Sequence, residues 1–157
     1  MKRNVKLYNV MFPLWMFFLL PTVVWLVILP VNFAVDTLVV LLVLGRLGLQ
    51  NRKQIWKRSI LRVWLFGFLS DFIGAALTMA LLLLCDKYFY VSMEIPYGQL
   101  LALPGIALAG VFIYLLNRRF AFGQCGLDTE TIRKLSLALA IFTAPYTMLW
   151  PIEWMYF

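Results

Sequence analysis

The sequence predicts an all-α integral membrane bundle of five transmembrane helices, with the N-terminus in the cytoplasm and the C-terminus outside. First, 64% of the 157 residues are hydrophobic and 13% are charged, whereas a soluble domain is about 45–50% apolar and about 25% charged. Second, the apolar residues form runs that reach the roughly 20 residues of a spanning helix. Third, basic residues cluster between those runs, as is typical of cytoplasmic loops.

Five apolar runs are candidate spans of a single membrane domain, at about residues 11–29, 32–49, 61–84, 99–116 and 135–154. The first two belong to one apolar stretch that would be about 50 Å long as a single helix, against a hydrocarbon core of about 30 Å. Because Pro30 lacks a backbone donor and Asn32 can cap a helix, we expect a helical hairpin at residues 29–32. The alternative is one kinked, partly re-entrant segment.

Charged residues delimit the other three spans. Span 61–84 lies between a basic cytoplasmic loop at 50–60 and Asp86, and span 99–116 ends at a second basic loop, residues 117–134. In that loop we expect Asp128 to cap a helix, with Glu130 in its first turn, that continues into the fifth span.

The basic residues determine the predicted orientation. All but one of the 14 Lys and Arg residues lie near the N-terminus or around the two basic loops, and Lys87 is the exception. With the N-terminus inside, all three clusters face the cytoplasm. We therefore expect a multi-pass protein of the plasma (inner) membrane.

Two acids lie inside predicted spans, Asp36 in the second and Asp71 in the third. A charged side chain at the bilayer centre costs roughly 2.5–3.5 kcal/mol on insertion scales, so such residues usually face a polar interior. No base lies well inside a span, and the nearby polar partners are Asn32, Ser70 and Thr78. The sequence predicts that these five residues form an intramembrane polar or ion path. The alternative is that the acids only hold the helices in register.

A catalytic pair of aspartates is disfavoured. The predicted depths of Asp36 and Asp71 differ by about 8 Å, and the Gly-x-Gly-Asp pattern of intramembrane aspartyl proteases is absent. The chain also has no histidine, no Cys-x-x-Cys pair, no Gly-x-Ser-x-Gly and no phosphate-binding loop. We therefore expect no catalytic residue, metal or cofactor.

Small residues predict where helices pack. Gly67 and Gly74 share one helical stripe with Asp71 and Thr78, and the fifth span carries Ala140 and Ala144. Small side chains let helices approach closely in lipid.

The basic loops predict contacts with anionic lipid head groups, at roughly 1 kcal/mol per base, although topology alone also accounts for these charges. The candidate residues are Arg52, Lys53, Lys57, Arg58, Arg118 and Arg119. Nucleic acid is not an expected partner, because no zinc-finger, helix-turn-helix or RNA-binding signature accompanies the charge of +7.

Residues 115–122 read Leu-Leu-Asn-Arg-Arg-Phe-Ala-Phe. This segment resembles the Asn-Arg-Arg-aromatic-x-Phe ending of a span in GtrA-like proteins, and Asp71 is similar to an acid in the first span of that family. The resemblance covers residues 62–122, but here two spans precede this region and one follows it. It implies a role in moving lipid-linked sugars.

These observations favour a small non-enzymatic unit that transports or translocates a solute or lipid. Five helices enclose little volume, so we expect a homo-oligomer or a larger membrane complex. The alternative is an accessory or assembly subunit in which the intramembrane acids only fix helix packing.

Overall fold

The computed structural model describes residues 23–89 and 97–149, which form helices joined by turns, with no strand in these two ranges. The all-α prediction is confirmed for this part of the chain, and three of its helices, α1 to α3, are long and apolar enough to cross a membrane. The elements are α1 (Val23–Arg46), α2 (Arg52–Phe89), α3 (Tyr97–Leu116), a single π-helical turn (Asn117–Ala121), α4 (Thr129–Phe142) and a 3-10 turn (Tyr146–Leu149).

The hairpin predicted at residues 29–32 is wrong, because α1 continues through Pro30 without a break. A proline removes one backbone hydrogen bond, and membrane helices tolerate that loss where neighbouring groups pack against the site. Here Trp64 of α2 donates a hydrogen bond from Nε1 to the carbonyl oxygen of Leu29, at 3.3 Å. The predicted second span is therefore the C-terminal part of α1. Residues 11–22 of the predicted first span lie outside the described residues, as does the N-terminal basic cluster.

The second helix is longer than predicted, since it begins at Arg52, inside the predicted basic loop 50–60. Its 38 residues extend about 57 Å at 1.5 Å per residue. Lys, Arg and Gln are good helix formers, which explains why the basic stretch is helical. The connection from α1 is a short turn in which Gly48 has a φ of +71°, a conformation that favours glycine.

The predicted start of the last helix is confirmed. Asp128 has an extended backbone and accepts a hydrogen bond from the amide of Thr131, at 2.9 Å. A continuous helix across the predicted span 135–154 is wrong, because α4 ends at Phe142 after 14 residues. Pro145 follows shortly after, and the residue that precedes a proline is disfavoured in helical conformation. Residues 150–154 lie outside the described residues.

The larger apolar core of the described residues lies at the end of the bundle where α1 and α3 finish and α2 and α4 begin. We call this the basic end, because both described basic loops lie there. Its core is a cluster of buried apolar side chains from all four helices and the π-helical turn. These are Val39, Val40, Leu44, Ile55, Val63, Ile113, Ala121, Phe122, Leu135 and Leu139.

Candidate functional site

The two intramembrane acids face the same interface, between α1 and α2. Asp36 is 2% exposed, and its Oδ2 lies 3.8 Å from the position that a Cβ on Gly67 would occupy. Gly67 precedes Asp71 by about one helical turn on α2. The charge of Asp36 still acts on Asp71 across this interface. The structure therefore places both acids along the same interface, with Gly67 leaving room for the Asp36 side chain.

Both acids have an oxygen without a partner. Asp36 Oδ2 and Asp71 Oδ1 are buried and accept no hydrogen bond from the described residues. Most buried polar atoms in folded proteins are paired, and an unpaired one costs about 1–3 kcal/mol. Packing alone thus gains nothing from these two oxygens, which makes the two acids the candidate functional groups of this interface.

The surrounding helices supply no counter-charge. In residues 26–44, 63–84, 100–113 and 135–145, Asp36 and Asp71 are the only titratable side chains. The ion pair found in the described part of the chain, Lys134 with Glu130 at 2.6 Å, is exposed at the start of α4. In the same part, no three His, Cys, Asp or Glu side chains come together. Structural zinc has four protein ligands and calcium about six to eight oxygens, so the acid pair alone is too small a ligand set.

The other predicted path residues make local contacts. Ser70 and Thr78 are buried, and their hydroxyls donate to carbonyl oxygens of their own helix, Phe66 at 2.6 Å and Gly74 at 3.0 Å. Asn32 is half-buried on α1. Ser70 adjoins Asp71 in sequence, whereas Thr78 lies against Gly105 of α3, about two helical turns beyond Asp71 on α2.

The glycines of α2 serve two different neighbours. A Cβ on Gly74 would lie 2.5 Å from the carbonyl oxygen of Gly105 and 2.9 Å from the Cβ of Ala109. A Cβ on Gly105 would collide with Thr78 Oγ1 and lie 2.5 Å from the Gly74 carbonyl oxygen. The backbones of α2 and α3 therefore touch here, and the contact requires glycine on both sides.

The predicted packing residues of the last helix lie close to their neighbours as well. The carbonyl oxygen of Ala140 is 3.6 Å from the position of a Cβ on Gly110 of α3. Ala144 is buried and belongs to a small apolar cluster with Ala102 and Ile106.

All six basic residues predicted to contact lipid are exposed. Sequence reasoning missed Arg62, whose Nη1 donates to Gln124 Oε1 at 2.7 Å and ties α2 to the loop after α3. It also missed Asn117, which is fully buried, donates from Nδ2 to the Ile113 carbonyl oxygen and leaves Oδ1 without a partner. The signals for Asn117 were its polar side chain at a helix end and its place in the Asn-Arg-Arg segment.

No protein-family model, curated protein or solved structure matches this chain.

Proposed function

We propose that the chain is a small non-enzymatic transport unit of the plasma membrane, in which Asp36 and Asp71 form the polar centre. The single observation that carries this proposal is the pair of carboxyl groups at the α1–α2 interface, each with a buried oxygen that has no partner. Ionisable residues inside a membrane are costly, and they usually mark ion or substrate pathways. Homo-oligomers would enlarge the small interior of one chain.

A proton is the ion that suits this site best. The two carboxyl groups have no basic neighbour within the described spans, so loss of a proton leaves an uncompensated charge. A dehydrated metal cation needs more oxygen ligands than the pair supplies. A proton taken up from water by one of the carboxyls would neutralise this charge without further ligands.

The proposed topology places the basic end in the cytoplasm, because basic residues are retained there. It includes five crossings, with the N-terminus inside and the C-terminus outside. In this topology the first crossing ends before Val23, where α1 begins.

Cysteine labelling tests this topology in a background carrying Cys85→Ser and Cys125→Ser. An impermeant thiol reagent applied to intact cells should label Lys87→Cys and spare Gln50→Cys. Labelling of Gln50→Cys would reverse the orientation, and labelling of Asn4→Cys would remove the first crossing.

Proton flux into vesicles tests the function. The purified chain is reconstituted with a pH-sensitive dye inside, and a potassium diffusion potential drives protons inward. We expect the wild type to acidify the lumen faster than empty vesicles, and Asp36→Asn and Asp71→Asn to lose most of that flux while still folding. Glu130→Gln, which changes an exposed acid, is the matched control and should keep it. A wild type no faster than empty vesicles rejects the proton-coupled form of the proposal.

The alternative, an accessory subunit, is favoured by a different observation. The hydroxyls of Ser59, Ser70 and Thr78 all donate to carbonyls of their own helix, as expected for rigid packing. Purification in mild detergent distinguishes the two roles. An accessory subunit should copurify with other chains at a fixed ratio, and the Asn variants should leave that ratio unchanged.

A further inference from the structure

The six exposed basic residues predicted to contact lipid do not have equivalent surroundings. Arg118 and Arg119 lie on the π-helical turn, which closes with a hydrogen bond from the amide of Phe122 to the carbonyl oxygen of Asn117, at 3.0 Å. Asn117 and Ala121 are fully buried, whereas the residues between them are exposed. The wide turn thus presents two consecutive guanidinium groups at the surface of the basic end. Single π-helical turns are frequent at functional sites.

These two arginines line a surface depression. Its volume is about 510 Å³, and its walls are Leu115, Arg118, Arg119 and Gly123. All four residues belong to one short stretch of chain, so the depression is shallow and open. A Cβ on Gly123 would lie 2.6 Å from the carbonyl oxygen of Arg119, so the chain needs glycine here to turn closely past the arginines.

The charges of the depression are uncompensated and partly fixed in position. Arg118 donates from Nη1 to the Tyr114 hydroxyl at 2.9 Å and lies 5.7 Å from the centre of the Tyr114 ring. These contacts orient the guanidinium without neutralising its charge, because Tyr114 is uncharged. In the described residues, neither arginine makes an ion pair with a carboxylate. Arginine is well suited to phosphate because its planar group can donate two parallel hydrogen bonds.

The apolar rim indicates where the phosphate would come from. Leu115 and Phe120 are each 50% exposed beside the arginines. A free phosphate ion would gain nothing from these side chains. A phospholipid would place its phosphate on the arginines and its glycerol and acyl carbons against Leu115.

We propose that Arg118 and Arg119 bind the phosphate of an anionic phospholipid in the depression that they form with Leu115 and Gly123. The site is distinct from the acid pair and does not depend on the proposed transport function. It selects two arginines from six basic residues that the sequence left equivalent.

Titration of phosphatidylglycerol and phosphatidylcholine into the purified, delipidated full chain, read by native mass spectrometry, tests the proposal. We expect phosphatidylglycerol to bind more tightly than phosphatidylcholine. The double variant Arg118→Gln/Arg119→Gln should weaken phosphatidylglycerol binding about 30-fold, roughly fivefold for each charge. The matched pair Arg52→Gln/Lys53→Gln, also exposed at the basic end, should show only a small part of that loss.

Three outcomes would overturn the proposal. Equal losses in the two double variants would mean diffuse attraction without a site. Equal binding of the two lipids would exclude recognition of the anionic head group. Full competition by inorganic phosphate, together with unchanged phosphatidylglycerol binding in Leu115→Gln, would assign the arginines to a free phosphate ion. Helicity measured by circular dichroism identifies any variant that fails to fold. If the double variant fails to fold, the single variants Arg118→Lys and Arg119→Lys, which keep the charge, are measured in its place.

Discussion

Two levels of one stripe on α2 use small residues for opposite purposes. At one level, Gly74 meets Gly105 of α3 backbone to backbone, and the Thr78 hydroxyl in this contact is satisfied within its own helix. About two turns earlier, Gly67 meets no backbone and instead leaves 3.8 Å for the Asp36 carboxylate of α1. The first level is a close contact between helix backbones, and the second, which we call the polar level, holds polar atoms without partners.

This difference shows that a small-residue pattern does not identify its own neighbour. In the sequence, Gly67, Asp71, Gly74 and Thr78 read as one stripe with one purpose. In the structure, the first two residues belong to the α1 interface and the last two to the α3 interface. The spacing identifies the face of α2, but the helix that lies against that face at each level decides whether a glycine admits a backbone or a side chain.

The largest expected effect tests the close contact between Gly74 and Gly105. Gly105→Ala should lower the thermal stability in detergent, because the added methyl group meets Thr78 and the Gly74 carbonyl. Overpacking costs typically about 1–3 kcal/mol, and here both obstacles belong to a packed helix, so we expect the upper part of that range. The gain in helix propensity, about 1 kcal/mol, offsets only part of it.

Gly110→Ala is the matched control for that variant. Its methyl group would lie 3.6 Å from its nearest neighbour, the Ala140 carbonyl oxygen, so we expect no loss and a gain of up to about 1 kcal/mol. Equal melting temperatures of the two alanine variants would show that α2 and α3 are not in backbone contact.

The next effect tests the polar level. It has the opposite sign, since the substitution should raise the stability. Asp36→Val removes a buried carboxylate with an unpartnered oxygen, so the variant should be more stable by about 1–2 kcal/mol while losing any proton flux. Gly67→Ala, whose methyl group would make an ordinary contact with Asp36, should change the stability little. A marked loss of stability in Asp36→Val would show that the carboxyl has a stabilising partner.

The sequence predicted the helices better than their ends. The apolar runs indicated the membrane helices, and Asp128 indicated where α4 begins. Two prolines were misleading, because Pro30 lies inside α1, where a turn was expected, and Pro145 follows the end of α4, where a continuous helix was expected. A proline inside a helix removes one backbone hydrogen bond, and the surrounding helices decide whether the chain tolerates that loss.

The candidate sites were predictable only in part, because they also depend on how the helices pack. A carboxylate inside an apolar run can be recognised in the sequence, but its approach to a second carboxylate depends on how two helices pack. The depression at Arg118 and Arg119 was not predictable, since nothing in Asn-Arg-Arg specifies a π-helical turn.

A smaller effect measures how strongly one hydrogen bond between α1 and α2 holds the two helices together. Trp56 donates from Nε1 to Thr37 Oγ1 at 3.2 Å, and hydrogen bonds between membrane helices contribute about 0.6 kcal/mol on average. A double-mutant cycle with Trp56→Phe and Thr37→Val isolates this coupling, and unfolding of the four proteins in detergent measures it. A coupling energy indistinguishable from zero would mean that the bond does not hold the two helices together.

The smallest expected effect concerns Asp128, an acid whose carboxylate has hydrogen-bond partners. It is the reference for Asp36, which has an unpartnered oxygen. Hydrogen bonds from the side chain of Thr131 and then from its amide lower the pKa of Asp128 below its ordinary value of 3.8. Because the folded pKa is depressed, the ionised carboxylate stabilises α4 at neutral pH, and this contribution disappears as the pH falls through the lowered pKa. Asp128→Ala should therefore melt below the wild type at pH 7, and the difference should vanish in acid.

Asp128→Asn separates the cap from its charge, because asparagine caps helices about as well as aspartate and does not titrate. Its melting temperature should stay near that of the wild type at pH 7 and exceed it at the acid end. A difference between Asp128→Ala and the wild type that persists unchanged in acid would show that the carboxylate is not the stabilising group. Loss of the partnered acid Asp128 should thus destabilise the protein at neutral pH, whereas loss of the unpartnered acid Asp36 should stabilise it. That opposition in sign separates an acid retained for folding from one retained for another purpose.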